Sequence, residues 1–199
     1  MSAPKLIWIK TPKTGGTSIR EALRDANLLD REVRMVIGGR ELQRYIEKNR
    51  EEWNALPKVC VVRNPFEKYV SAWQYLKCTK AKTLEAVFNA PPRADRDGYP
   101  VWHHITQSQT SMILDRDGCL PIVHYVPFEN LESGFNRILE KFAIPAIQLP
   151  RLNQTIHGPA SCYFTEDLRV RFAHKYAIDF HEFGYSASLE DSLLCPQVA

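Results

Sequence analysis

The segment Val59-Cys60-Val61-Val62 constrains this 199-residue chain more than any other. A short, continuously apolar run rich in β-branched residues fits a strand covered on both faces, the situation of a strand inside a parallel sheet. The run ends in Arg63-Asn64-Pro65. Asn64 has the side chain of a helix cap and Pro65 suits a first helical position, so the spacing predicts strand, cap and helix in direct succession. In that helix Phe66, Tyr69, Val70 and Trp73 make one apolar stripe. At ~100° per residue Ser71 falls almost opposite the stripe, which periodicity assigns to solvent.

The N-terminus repeats the succession. Leu6 to Ile9 reads as a strand, residues 10–16 carry turn formers, and Thr17 to Asn27 is helical in character. Thr17 is the expected cap, with Ile19, Leu23 and Ala26 on one face. Val33 to Ile37 is a second strand, broken by Gly38-Gly39 before an amphipathic helix from Arg40 to about Trp53. Downstream, Ile122 to Val126 reads as a strand and Phe128 to Phe142 as a helix with Leu131, Phe135, Ile138, Leu139 and Phe142 at helical spacing. Residues 91–100 form a polar loop suited to the substrate side, and Asp115 to Gly118 is a turn. A last helix starts at Thr165, with Glu166 and Asp167 in its first turn and Leu168, Phe172, Tyr176 and Phe180 on its buried face. Strands alternating with helices predict an α/β fold, a parallel sheet flanked by helices. With no internal repeat and no linker, residues 1–199 read as a single domain.

Composition removes several alternatives. No run approaches the ~20 apolar residues of a membrane-spanning helix, and Met1-Ser2-Ala3-Pro4-Lys5 lacks the pattern of a secretory leader. The five cysteines are odd in number and no two are spaced C-x-x-C, which argues against a disulfide framework or a zinc site and for a reduced, cytoplasmic chain. A net charge of +3 gives no argument for nucleic acid. Its distribution is lopsided, however. Residues 1–82 hold 17 basic and 9 acidic side chains, a balance of +8, against 9 and 14 in the remainder, a balance of −5. The first half therefore faces an anionic ligand, or else the surface is simply uneven.

The anionic reading has a place to act. Lys10-Thr11-Pro12-Lys13-Thr14-Gly15-Gly16-Thr17-Ser18 lies between a strand and a helix start, where amides converge, the helix dipole adds positive charge, and glycines permit close approach. Lys13 supplies a full charge, and Thr14, Thr17 and Ser18 supply hydroxyls. This is not a Walker A loop: the position six before the Lys is Ile7, and the Lys precedes the glycines. A plain Gly-Gly turn with incidental hydroxyls is the alternative.

The segment Thr11 to Ser18 resembles the 5′-phosphosulfate loop of the sulfotransferases, which use 3′-phosphoadenosine 5′-phosphosulfate (PAPS) as donor. Val62 to Trp73 is similar to their 3′-phosphate motif, in which an Arg is followed eight positions later by a Ser. Gln109 ahead of Asp117-Gly118, Phe128-Glu129-Asn130-Leu131, Leu149-Pro150-Arg151-Leu152-Asn153 and Asp179 to Tyr185 look like the carbohydrate-type, bacterial-like branch. The resemblance implies a P-loop-like fold, PAPS as cofactor, no metal, and sulfuryl transfer to an acceptor hydroxyl of a small molecule or saccharide. It implies that Pro12, Lys13, Thr14, Gly15, Gly16, Thr17 and Ser18 hold the 5′ end, with Lys13 stabilising charge on the bridging oxygen. Arg63 and Ser71 would hold the 3′-phosphate.

The base is less well marked. Relatives often carry a Gly-His pair before the Arg-bearing strand, where this chain reads Val36-Ile37-Gly38-Gly39-Arg40-Glu41, with no His before Arg63. His103 and His104, beside Trp102, are the substitutes; they serve equally as a structural or substrate-binding element, and Glu41 is a weaker candidate. His124, His157, His174 and His181 read as structural, and Arg20, Arg24, Arg34, Arg40 and Arg44 as solvated residues. Two other functions compete: a P-loop-like kinase for small molecules, and a non-catalytic protein that kept the PAPS fold and lost the base.

Overall fold

The computed structural model describes residues 4–77, 83–89, 107–121, 123–152 and 158–192. Four strands, β1 (Leu6–Lys10), β2 (Val33–Ile37), β3 (Lys58–Val62) and β4 (Val123–Pro127), form one sheet in the order β2-β1-β3-β4. Every pairing is parallel, with Trp8 opposite Met35 on one side and Val59 on the other. Among the described residues the α-helices are α1 (Gly16–Asp25), α2 (Arg40–Lys48), α3 (Arg50–Ala55), α4 (Pro65–Lys77), α5 (Leu84–Asn89), α6 (Gln109–Ile113), α7 (Leu131–Lys141), α8 (Glu166–Lys175) and α9 (Ala177–Glu182). The α/β expectation therefore holds.

The chain divides into two compact units, Met1–Val62 with Gln109–Asn153 and Arg63–Ser108 with Gln154–Ala199. The first holds the sheet. Leu6, Trp8, Val33, Val59, Val61 and Val126 share a core with Ile19 and Leu23 of α1 and Phe135 and Leu139 of α7. Trp8 meets Phe135 edge-on, with centroids 6.0 Å apart. The alternate residues Ile7, Ile9, Cys60 and Val62 face the opposite side of the sheet and are buried too. Burial on both faces is what the unbroken apolar run of β3 requires.

In the second unit, aromatic packing surrounds α4. Phe66 lies 5.0 Å from Phe164, 5.1 Å from Phe172 and 4.9 Å from Phe180, ring centre to ring centre. Asn64 caps the helix as expected, its Oδ1 accepting from the Phe66 amide at 2.9 Å. Glu67 ties in later chain: its Oε1 accepts from the Ala160 amide at 2.7 Å and from Ser192 Oγ at 3.3 Å.

Several local expectations are corrected. Thr17 does not cap α1; the helix begins at Gly16 and its cap position is Gly15, in the left-handed conformation at φ 76°. The helix also stops at Asp25, and Asn27 turns left-handed at φ 55°. The helix expected from Arg40 to Trp53 breaks at Asn49, whose Nδ2 and backbone amide both donate to the Tyr45 carbonyl. The Phe128 segment opens as a 3₁₀ turn, Phe128–Asn130, before α7. Thr165 does cap the last helix, accepting from the Leu168 amide at 3.3 Å, but that helix breaks at Tyr176 into α8 and α9. Ser71 is not at a solvent face. It is 6% exposed, because every residue from Asn64 to Trp73 is buried.

Candidate functional site

The loop between β1 and α1 is built around its own side chains. Thr11 is buried, its Oγ1 donating to the Val61 carbonyl at 3.1 Å, and Thr14 Oγ1 donates back to the Thr11 carbonyl at 3.0 Å. The two hydroxyl oxygens lie 3.2 Å apart. These bonds pin the first half of the loop to β3 and turn the Thr14 hydroxyl inward. Pro12 and Lys13, between them, are partly exposed.

Lys13 sits at φ 64°, a left-handed conformation that costs a non-glycine residue about 1 kcal/mol. Strain of that kind persists where the surroundings over-determine it, and it gathers at ligand-binding turns. Gly15 follows at φ 76°, and a Cβ there would lie 2.6 Å from Leu131 Cδ2 and 3.2 Å from Phe128 Cε2. Both the conformation and the packing exclude a side chain. Gly16 is constrained differently: a Cβ would stand 2.8 Å from Lys10 Cε and 3.0 Å from its Cγ. The stem of Lys10, the last residue of β1, therefore crosses the first residue of α1.

No side chain caps α1, and its first turn carries no acid. The amides that a helix leaves without internal partners are thus available to an outside acceptor, with the positive end of the dipole behind them. Thr17 is partly exposed; Ser18 is buried, its Oγ accepting from the Leu152 amide at 3.4 Å. The sheet presents this loop at the carboxyl ends of its strands, where open α/β sheets bind ligands.

Gly38 and Gly39 leave the same end of neighbouring β2. The Gly38 amide donates to the Lys10 carbonyl at 3.0 Å and the Gly39 amide to the Met112 carbonyl at 2.7 Å. Gly39 adopts φ 80°, ψ −134°, a conformation confined to glycine, so a histidine could not take its place without rebuilding the turn. Glu41 is exposed in the first turn of α2.

Arg63 and Ser71 belong to the other unit. Arg63 directly follows β3 in the chain and is partly exposed, while Ser71 lies two turns along α4. Between them, Lys68 is 4% exposed and donates to the Gln107 carbonyl at 3.2 Å. Burial lowers its pKa to about 8; Asp179 opposes that shift and Arg63 adds to it. Nothing in the pattern of the sequence singled out Lys68. An ammonium buried inside a helix that reads as one-sided becomes visible only when the helix is found covered all round. Residues 91–100, His103 and His104 lie outside the described residues. His174 and His181 are exposed, and His124 packs on Phe142 with its pKa lowered by burial and by Lys141.

No protein-family model matches the chain, and no curated protein matches it. Among solved structures, the crystal structure of a sulfotransferase from Alicyclobacillus acidocaldarius is similar, with a TM-score of 0.54 over 94% of this chain and 98% of that chain. Sequence identity is 12%, so the likeness is one of fold. The chain has a sulfotransferase-type α/β fold with a four-stranded parallel sheet. Among the described residues no helix is long and apolar enough to cross a membrane, and no cluster of three or more His, Cys, Asp or Glu is placed to hold a metal ion.

Proposed function

We propose that this chain is a PAPS-dependent sulfotransferase that moves a sulfuryl group to an acceptor hydroxyl, of the carbohydrate-type branch and with a saccharide as the acceptor. The observation that carries the reading is the Thr11–Ser18 loop. Its left-handed Lys13, a left-handed Gly15 with no room for a side chain, and an uncapped first helical turn stand together at a strand's carboxyl end. That arrangement fits the phosphosulfate end of the donor: amide donors and the Lys13 cation would offset its charge, and a Cβ at Gly15 would disturb the turn that supplies them.

Bound there, PAPS would supply an activated sulfuryl group with a phosphate as its leaving group. Lys13 would set a full positive charge against the bridging oxygen as it becomes more negative, an interaction stronger in the transition state than in the ground state. Arg63, between β3 and α4, would offer a planar donor fork to the 3′-phosphate, with Ser71 on the helix that follows. Removal of the acceptor proton is assigned to His103 or His104, since no His precedes Arg63 and the Gly38-Gly39 turn carries none. The whole chain, residues 1–199, works in this reading as one catalytic domain.

Calorimetry with PAPS tests it. The intact protein binds PAPS, Lys13→Ala and Arg63→Ala each weaken that binding, and Lys13→Ala lowers sulfate transfer by ~100-fold or more. Binding of PAPS at the same affinity in all three proteins would overturn the assignment. Magnesium-dependent binding of ATP in place of PAPS would move the chain to phosphoryl transfer, and PAPS binding without transfer to any hydroxyl would make it a binding protein.

A further inference from the structure

Lys10 is left without a role by the motifs, yet its surroundings are unusual for a structural lysine. It ends β1, its stem lies across Gly16, and its side chain is partly buried. Among the described residues its ammonium has no hydrogen-bond or ion-pair partner. Burial and the neighbouring Arg20 both disfavour its charge, and Glu21 acts the other way. Glu21 is already engaged, however. It accepts from Arg20 Nε at 3.2 Å, Arg20 Nη2 at 3.0 Å and Arg24 Nη1 at 2.5 Å. Glu21 thus pairs with two guanidiniums along α1, and the Lys10 ammonium adds a third positive charge nearby without pairing.

A lysine with only a packing role buries its stem and carries its ammonium out to water. Here the ammonium is held near a guanidinium, which is unfavourable until an anion joins them. Resting on the reading that the Thr11–Ser18 loop takes the sulfated end of the donor, we propose that Lys10 is a second cation of that site, binding the 5′-phosphosulfate together with Lys13. Gly16 then has a second function beyond the close approach of its own amide. It leaves the space through which the Lys10 stem reaches the helix start. Lys10 binds charge that is present before and during transfer, so it contributes affinity, whereas Lys13 acts on the oxygen that gains charge.

The test uses Lys10→Met, which keeps a stem over Gly16 and removes the charge, and Lys10→Arg, which keeps the charge. Calorimetry is run with three ligands: PAPS, its desulfated product 3′-phosphoadenosine 5′-phosphate, and adenosine 5′-phosphosulfate, which lacks the 3′-phosphate. Lys10→Met weakens all three by ~10-fold or more, the loss of one charge-assisted contact. Lys10→Arg retains most of the affinity. The ligand-free melting temperature of Lys10→Met stays level or rises, because a like-charge neighbour of Arg20 is gone. Arg63→Ala separates the two ends, weakening the two ligands with a 3′-phosphate and leaving adenosine 5′-phosphosulfate unaffected. Unchanged affinity in Lys10→Met overturns the role of Lys10 while the donor reading stands. Weaker binding accompanied by a lowered ligand-free melting temperature also overturns it, since the lysine is then packing. If the unaltered protein binds none of the three, the donor reading falls and this proposal falls with it.

Discussion

At the scale of single residues, the loop is shaped by what each position excludes. Thr11 turns its hydroxyl to the Val61 carbonyl of β3 and Thr14 to the Thr11 carbonyl within the turn, which fixes the backbone around Lys13. Gly15 is the most tightly specified, by its positive φ and by Leu131 and Phe128 behind it. Gly15→Ala therefore combines left-handed strain with overpacking and destabilises the protein by about 2–4 kcal/mol. Urea unfolding measures it: the midpoint falls at unchanged slope. An unchanged midpoint would mean that the turn relaxes without cost. Gly16→Ala is expected to behave otherwise, since the atoms it meets belong to a flexible lysine stem that can swing aside.

At the scale of elements, α4 shows how far a helix can depart from its apparent pattern. Its stripe of Phe66, Tyr69, Val70 and Trp73 is buried, and so are Glu67, Lys68 and Ser71 around the rest of its circumference. Lys68 makes this measurable. Burial holds its pKa at about 8 against an ordinary 10.5, so between those values the unfolded chain keeps a proton that the folded protein has released. Stability then rises with pH across that window, by up to about 3 kcal/mol from this group. Burial raises the phenols of Tyr69 and Tyr176, which reverses the slope at higher pH as the unfolded chain ionises first. Unfolding free energies measured between about pH 8 and 10 should climb more steeply in the unaltered protein than in Lys68→Met. Parallel curves would show that Lys68 does not titrate there.

At the scale of the whole molecule, the parallel sheet is the scaffold, and β3 lies inside it between β1 and β4. Cys60 reports on that position. Its thiol is fully buried and its pKa is pushed up to about 12 by desolvation, whereas Cys119 and Cys162 are exposed. With an alkylating reagent at neutral pH, Cys119 and Cys162 react promptly, and Cys60 reacts only as the protein enters its unfolding transition. Prompt labelling of Cys60 in the native protein would show that the sheet opens locally at β3.

The strand, turn and helix units were legible because their signals are local. Val59 to Val62 announces a strand covered on both faces, Asn64 and Pro65 start a helix through their own backbone chemistry, and Gly38-Gly39 ends β2 where a left-handed turn is needed. The left-handed cap of α1 at Gly15 and the break at Asn49 were less so. Thr17 competes with Gly15 for the cap on propensity alone, and the packing of Leu131 and Phe128 against Gly15 shows why no side chain can stand there.

By itself, then, the sequence determined the order of elements, the parallel α/β class and the place of an anion-suited turn, since propensity, capping and periodicity act between near neighbours. Tertiary structure alone decided the rest: that Ser71 and Lys68 are buried, that the Thr14 hydroxyl faces inward, and that Lys10 is held across Gly16 beside Arg20. Each of these depends on which distant atoms share a space, and close packing and the cost of burying charge are properties of that shared space.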